Sequence, residues 1–147
     1  MSSPPPPAQA SILRVALFCL AMAVLASICN AAMDKISFHY DSSVFASPQL
    51  LPYRGWLDPR LSWRNKWRNG NRAEGEAFLL SSTAFVFVTD AWHLLKGIAK
   101  ASLILALMAP FTLLYRLSVL SWCGVYLALN LLSGIVFEMF FAGLLAA

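Results

Sequence analysis

The chain has 147 residues, of which 59% are hydrophobic and only 12% charged, with a mean hydropathy of +0.66. Those values exclude an ordinary soluble globular domain and place the chain among integral membrane proteins. The net charge of +4 comes largely from one stretch, because Lys35, Arg54, Arg60, Arg64, Lys66, Arg68 and Arg72 supply seven of the eleven basic residues.

Residues 1–11 contain four consecutive prolines, which favour an extended polyproline segment, and they read as a disordered tail. Residues 12–33 carry a single charge, Arg14, and are long enough to cross a hydrocarbon core of about 30 Å. A signal peptide has a similar outline, but the run exceeds the usual apolar core and lacks an A-x-A site, so a retained helix is the expectation. Residues 34–76 form the one extended hydrophilic segment. Three more apolar runs follow, at 77–95, 98–115 and 120–145. The turns between them are marked by Lys96, Gly97 and Lys100 and then by Arg116 and Ser118, short enough that successive helices must be antiparallel neighbours. Pro110 removes one backbone hydrogen bond from the third run, a loss that neighbouring helices can make good in a membrane. No internal or inverted repeat is visible.

Within the hydrophilic segment, "LDPRLSWRNKWRNG" has its own punctuation. Asp58 suits an N-cap, Pro59 the first helical position, and Gly70 a left-handed terminus, so a helix over 58–69 is expected. On such a helix Trp56, Trp63 and Trp67 fall in one arc, with Arg60, Arg64 and Arg68 on one flank and Lys66 on the other. Indoles favour the headgroup level and long cations snorkel towards phosphates, so the segment reads as an in-plane interfacial helix contacting the lipid bilayer, or as a lid on the protein's own bundle. Basic and aromatic residues also bind nucleic acid, but between membrane spans and without a nucleic-acid fold that reading is set aside.

Counting basic residues on each side of four spans favours a cytoplasmic 34–76 segment with both termini outside, although Arg14 before the first span argues the other way.

Ionisable groups inside apolar spans are candidates for function. Here they are Asp90, His93 and Glu138. Asp90 and His93 share one helix face, and the second and fourth spans would place Glu138 within about 5 Å of the same depth at 1.5 Å per residue. Such a cluster can simply hydrogen-bond helices together, for about 0.6–2 kcal/mol per contact. It could equally serve as a proton relay, a general acid–base site or half of a metal site. In the fourth span Asn130, Ser133 and Gly134 make a polar, small-residue packing stripe. Cys19, Cys29 and Cys123 lie in apolar runs without C-x-x-C spacing and read as small buried hydrophobes. His39 and His93 are the two histidines, and a loop-and-helix-end pair is a poor haem site, so no cofactor and no metal is expected.

The runs "FHYDSSVF" at 38–45, "SWRNKWRNG" at 62–70, "GEAF" at 75–78 and "FVFVTDAWHLLKG" at 85–97 together resemble a group of small bacterial polytopic membrane proteins. These carry S-W-x-N-K-[WY]-x-N-G and F-V-F-x-T-D-x-W-H motifs and have no activity assigned to the group. The resemblance covers about residues 34–97 and implies a bacterial inner membrane.

The sequence thus reads as an all-α integral membrane protein with four transmembrane helices and one interfacial helix between the first and second. The expected mode of action is packing with itself or a partner membrane protein. The alternative is a membrane-embedded enzyme or proton-handling protein built on Asp90, His93 and Glu138.

Overall fold

A computed structural model describes residues 9–115 and 118–139, and among these the fold is entirely helix and turn. Most of the proline-rich tail and residues 140–145 of the last expected span lie outside the described residues, as does the side chain of Glu138. Among the described residues, three helices are long and apolar enough to cross a membrane: α1 (Gln9–Phe38), α4 (Ala91–Tyr115) and α5 (Val119–Glu138). Two single-turn helices, α2 (Arg54–Leu57) and α3 (Pro59–Ser62), and a series of 3₁₀ turns occupy the segment between α1 and α4.

The first apolar run extends in both directions beyond its expected limits. Gln9, Ala10 and Ser11 are helical because they follow the prolines, and no breaker occurs before His39.

The expected second and third spans are corrected more deeply. Residues 77–90 are not a membrane helix but turns with a 3₁₀ segment at Val86–Val88, whereas Lys96, Gly97 and Lys100, expected to mark a turn, lie inside the 25-residue α4. Two local causes act. Glu76 accepts hydrogen bonds from the Leu80 and Ser82 amides at 2.9 and 3.1 Å, and Leu80 sits at φ 58°, so helix cannot propagate through this point. Downstream, a glycine costs a helix only about 1 kcal/mol, and the strong helix formers that follow outweigh it. Lys96 lies 5.0 Å from the centre of the Trp92 ring, one turn back on the same face.

The helix expected at 58–69 is likewise only half present. Asp58 caps α3 by accepting from the Arg60 amide at 3.0 Å, and Pro59 stands at its start, as the spacing implied. After one turn of 3₁₀ helix at Trp63–Lys66 the chain extends at Trp67. The Lys66 carbonyl accepts from the Ala77 amide at 3.0 Å and the Arg68 amide donates to the Gly75 carbonyl at 3.0 Å, so a short antiparallel bridge between Trp67 and Glu76 replaces the next helical turn. Asn69 and Gly70, at φ 51° and 73°, supply the left-handed turn that brings the chain back.

The chain divides into two compact units. One, Val24–Ala101, joins the end of α1, the polar segment and the start of α4 around Ile36, Tyr40, Leu57 and Ala91; Ala26, Cys29 and Ala99 form a second buried group whose small side chains allow close helix contact. We call residues 39–90 of this unit the head.

The other unit comprises Met1–Ala23 and Ser102–Ala147, and within it α4 contains Pro110. Proline cannot donate to the carbonyl four residues back, which is that of Ala106. The Cys19 thiol of α1 donates to this carbonyl at 3.3 Å. A carbonyl that would otherwise be stranded in lipid is thereby satisfied from a neighbouring helix. Restoring the amide with Pro110→Ala should make Cys19 dispensable. Cys19→Ala is expected to cost about 0.5–1 kcal/mol in the parent and close to nothing in the Pro110→Ala background, a coupling readable by thermal unfolding in detergent.

Candidate functional site

The head is organised by two carboxylates. Asp58 is completely buried and accepts from the Arg60 Nε and Nη2 at 2.9 and 3.0 Å and from the Arg54 Nε at 3.3 Å. Arg60 continues to Asp41 as a two-pronged pair at 2.7 and 3.1 Å and lies 5.7 Å from the centre of the Tyr40 ring. The hydrogen bonds from Arg60 hold the Asp58 carboxyl below its ordinary value. Arg60 was expected to face lipid phosphates; it is instead committed to this protein network.

Asp90 is the second centre. It is the residue before α4, and its Oδ1 accepts from the His93 amide at 2.9 Å, which makes it the helix N-cap. The His93 ring Nδ1 lies 2.7 and 2.8 Å from the two carboxylate oxygens, the Thr89 hydroxyl 3.2 Å from one of them, and the Lys66 ammonium 3.8 Å away. Burial alone would push the Asp90 carboxyl up. The His93 ring and amide, together with the charge of Lys66, outweigh that and hold it below its ordinary value. Since an ionised carboxylate can only accept, the contact is a hydrogen bond donated by the His93 Nδ1–H.

These groups open on a cleft of about 230 Å³ lined by Ser62, Trp63, Lys66, Asp90, Trp92 and His93. The sequence grouping of Asp90 with His93 is therefore real, but as cap and third residue of α4 rather than as two positions inside a span. Lys66, assigned in advance only to the membrane interface, is the third member. Glu138 belongs to the other compact unit, and its side chain is not among those described.

The aromatic residues take separate roles in place of the single expected arc. Trp56 donates its indole N–H to the Val88 carbonyl at 3.1 Å, while Trp63 donates to the Arg60 carbonyl at 3.1 Å and remains 46% exposed. Arg64 stacks on Trp63 at 5.6 Å and Arg72 on Trp67 at 5.5 Å. Arg68 is exposed. Asn65, expected on the polar back of an interfacial helix, donates to the Gly55 and Thr89 carbonyls at 2.9 and 2.8 Å and so ties these two segments together. Asp41 and Glu76 act through Arg60, distant in sequence, and through turn amides, for which periodicity offers no signal; Arg54 pairs with Asp58 at the i,i+4 spacing that a helix provides. Among the described residues no three His, Cys, Asp or Glu side chains gather as a metal ion would require.

No protein-family model, characterised protein or solved structure matches the chain.

Asp58, Glu76 and Asp90 all have carboxyls held below their ordinary values, Glu76 through the Ser82 hydroxyl and the turn amides. A folded value below the unfolded one gives stability that is complete above the ordinary values of 3.8 to 4.5 and is lost as pH falls through the lowered ones. Tryptophan fluorescence unfolding in detergent should therefore be flat from pH 7 to about 5 and weaken steeply below about 4. Asp58→Asn, which keeps a capping oxygen but loses the charge-assisted hydrogen bonds from Arg60 and Arg54, should flatten that acid limb and cost about 2 kcal/mol at pH 7.

Proposed function

We propose that the protein is a small polytopic membrane protein that works by binding rather than by covalent chemistry, and that its head takes a small anionic group of the phospholipid-phosphate class at the bilayer surface. The observation that carries this reading is the position of the cleft. It opens at the first residues of an apolar helix, between the indoles of Trp63 and Trp92, with a half-buried lysine in its wall. At 3.8 Å from Asp90 the Lys66 ammonium is beyond hydrogen-bond length, which leaves its donors available to a phosphate oxygen, and the indoles suit the headgroup level. Asp90 confers a preference for a singly rather than multiply charged ligand, since it keeps one negative charge in the cleft wall. The same arrangement could run acid–base chemistry through the His93 ring, but Asp90 is already accounted for by capping α4 and by its contact with that ring. A cytoplasmic head belongs to this proposal, because it holds most of the basic residues of the chain.

Reconstitution tests it. Thermal stability should be higher in phosphatidylglycerol than in phosphatidylcholine vesicles, and Lys66→Gln should weaken that preference roughly fivefold, the equivalent of about 1 kcal/mol for one basic residue at an anionic surface. Lys66→Arg should retain it. Equal stability in the two lipids would sink the reading.

A second reading rests on α5. None of the side chains in its Val119–Val136 window is buried, and it borders apolar cavities of about 680 and 330 Å³ shared with α4. Helices in lipid associate through close packing and polar contacts, and Asn130, Ser133 and Gly134 supply both on successive turns. We propose this helix as the surface for a second copy of the chain. Cys123 is exposed on α5 and provides a native probe. Mild oxidation of membranes should give a disulfide-linked dimer, which Gly134→Leu should reduce several-fold; a chain that stays monomeric under oxidation and in detergent would exclude self-association through this face.

A further inference from the structure

Residues 77–89, between Glu76 and Asp90, contain no charged side chain and present Phe78, Leu79, Leu80, Phe85, Phe87 and Val88 to the outside, Leu79 to 78% of its surface. Six large apolar side chains exposed within eleven residues form a patch that water does not favour. The segment leads directly into α4, whose apolar span begins at Ala91, so the patch is continuous along the chain with a surface that lies in lipid.

Non-helical backbone can enter a bilayer only if its own polar groups are met. Here most of its amides are met. Glu76 takes the Leu80 and Ser82 amides; the amides of Ser81, Thr83, Phe85, Val88 and Thr89 donate to carbonyls within the segment at 2.9 to 3.2 Å. Trp56 covers the Val88 carbonyl and Asn65 the Thr89 carbonyl. The buried Ser81 hydroxyl donates inward to the Lys66 carbonyl at 2.8 Å, which fixes the loop to the head while its apolar side chains turn outward.

We infer that residues 78–88 form a lipid-inserted wedge, a loop seated in the acyl region of the leaflet beside the start of α4. Amphipathic elements of this kind sit about 5–10 Å into the headgroup–acyl boundary. The wedge would fix the depth of the head, and with it the level of the cleft, independently of whether the cleft takes a headgroup.

Site-directed spin labelling of the full chain in phosphatidylcholine–phosphatidylglycerol vesicles tests this. Cys29 and Cys123 are replaced by alanine and Cys19 by serine, which keeps a donor for Ala106. Single cysteines are then placed at Leu79 or Phe87, with Leu103, exposed on α4, as the lipid reference and Ala73, exposed on the head, as the water reference. The wedge predicts that labels at Leu79→Cys and Phe87→Cys are relaxed by oxygen and shielded from a water-soluble nickel complex, as at Leu103→Cys. Relaxation by nickel to the level of Ala73→Cys would place the loop in water and overturn the inference. Shielding from both reagents would overturn it too, since the loop would then be covered by protein. Loss of the anionic-lipid preference with Lys66→Gln leaves these accessibilities unchanged, so the two readings fail separately.

Discussion

A carboxylate standing at the first turn of an apolar helix must be neutralised where it stands, and the arrangement of the head follows from how Asp90 meets that requirement. The amides of a helix start provide part of the answer, through capping. Most of the rest comes from the His93 ring on the same helix, and the polar segment adds the charge of Lys66, whose backbone is in turn held by Ala77 and Ser81. The polar segment thus folds back to the entrance of α4, where Lys66 meets Asp90. Asp58 performs the same service one layer further out, with arginines whose outer ends remain in water.

This dependence on distant partners explains what could be read in the sequence. Features determined by neighbours along the chain were legible: the capping role of Asp58, the position of Pro59, the left-handed turn at Gly70, and the proximity of Asp90 to His93. The replacement of a helix by a bridge at Trp67 was not, because its cause is Glu76 and the turn that follows it. Hydropathy misled for a related reason. An average over 77–95 reports that the segment is greasy, and an apolar loop and a membrane helix are equally greasy; the competition of the Glu76 carboxylate for the Leu80 and Ser82 amides separates them. Conversely, Lys96, Gly97 and Lys100 looked like a break because charge and glycine were read without the helix formers on either side.

The division of labour among the tryptophans carries a similar lesson. A shared helical arc suggested one function for Trp56, Trp63 and Trp67, yet one indole braces a loop carbonyl, one remains exposed at the cleft and one is covered by an arginine. Their shared property is amphipathicity, which lets each satisfy a polar group while presenting apolar surface. Arginine side chains stacked on two of them keep their stems dry and their guanidinium edges free for solvent or phosphate.

The thiol that meets the Ala106 carbonyl sets a register between helices without using charge. The freed acceptor opposite Pro110 occurs once on α4, so α1 can reach it from only one rung. Sliding the pair by a single helical turn, about 5.4 Å, would carry the thiol past its acceptor and leave a carbonyl unmet in hydrocarbon. A proline usually regarded as a weakness in a helix thus acts as a notch, and the sulfur as the pawl that engages it.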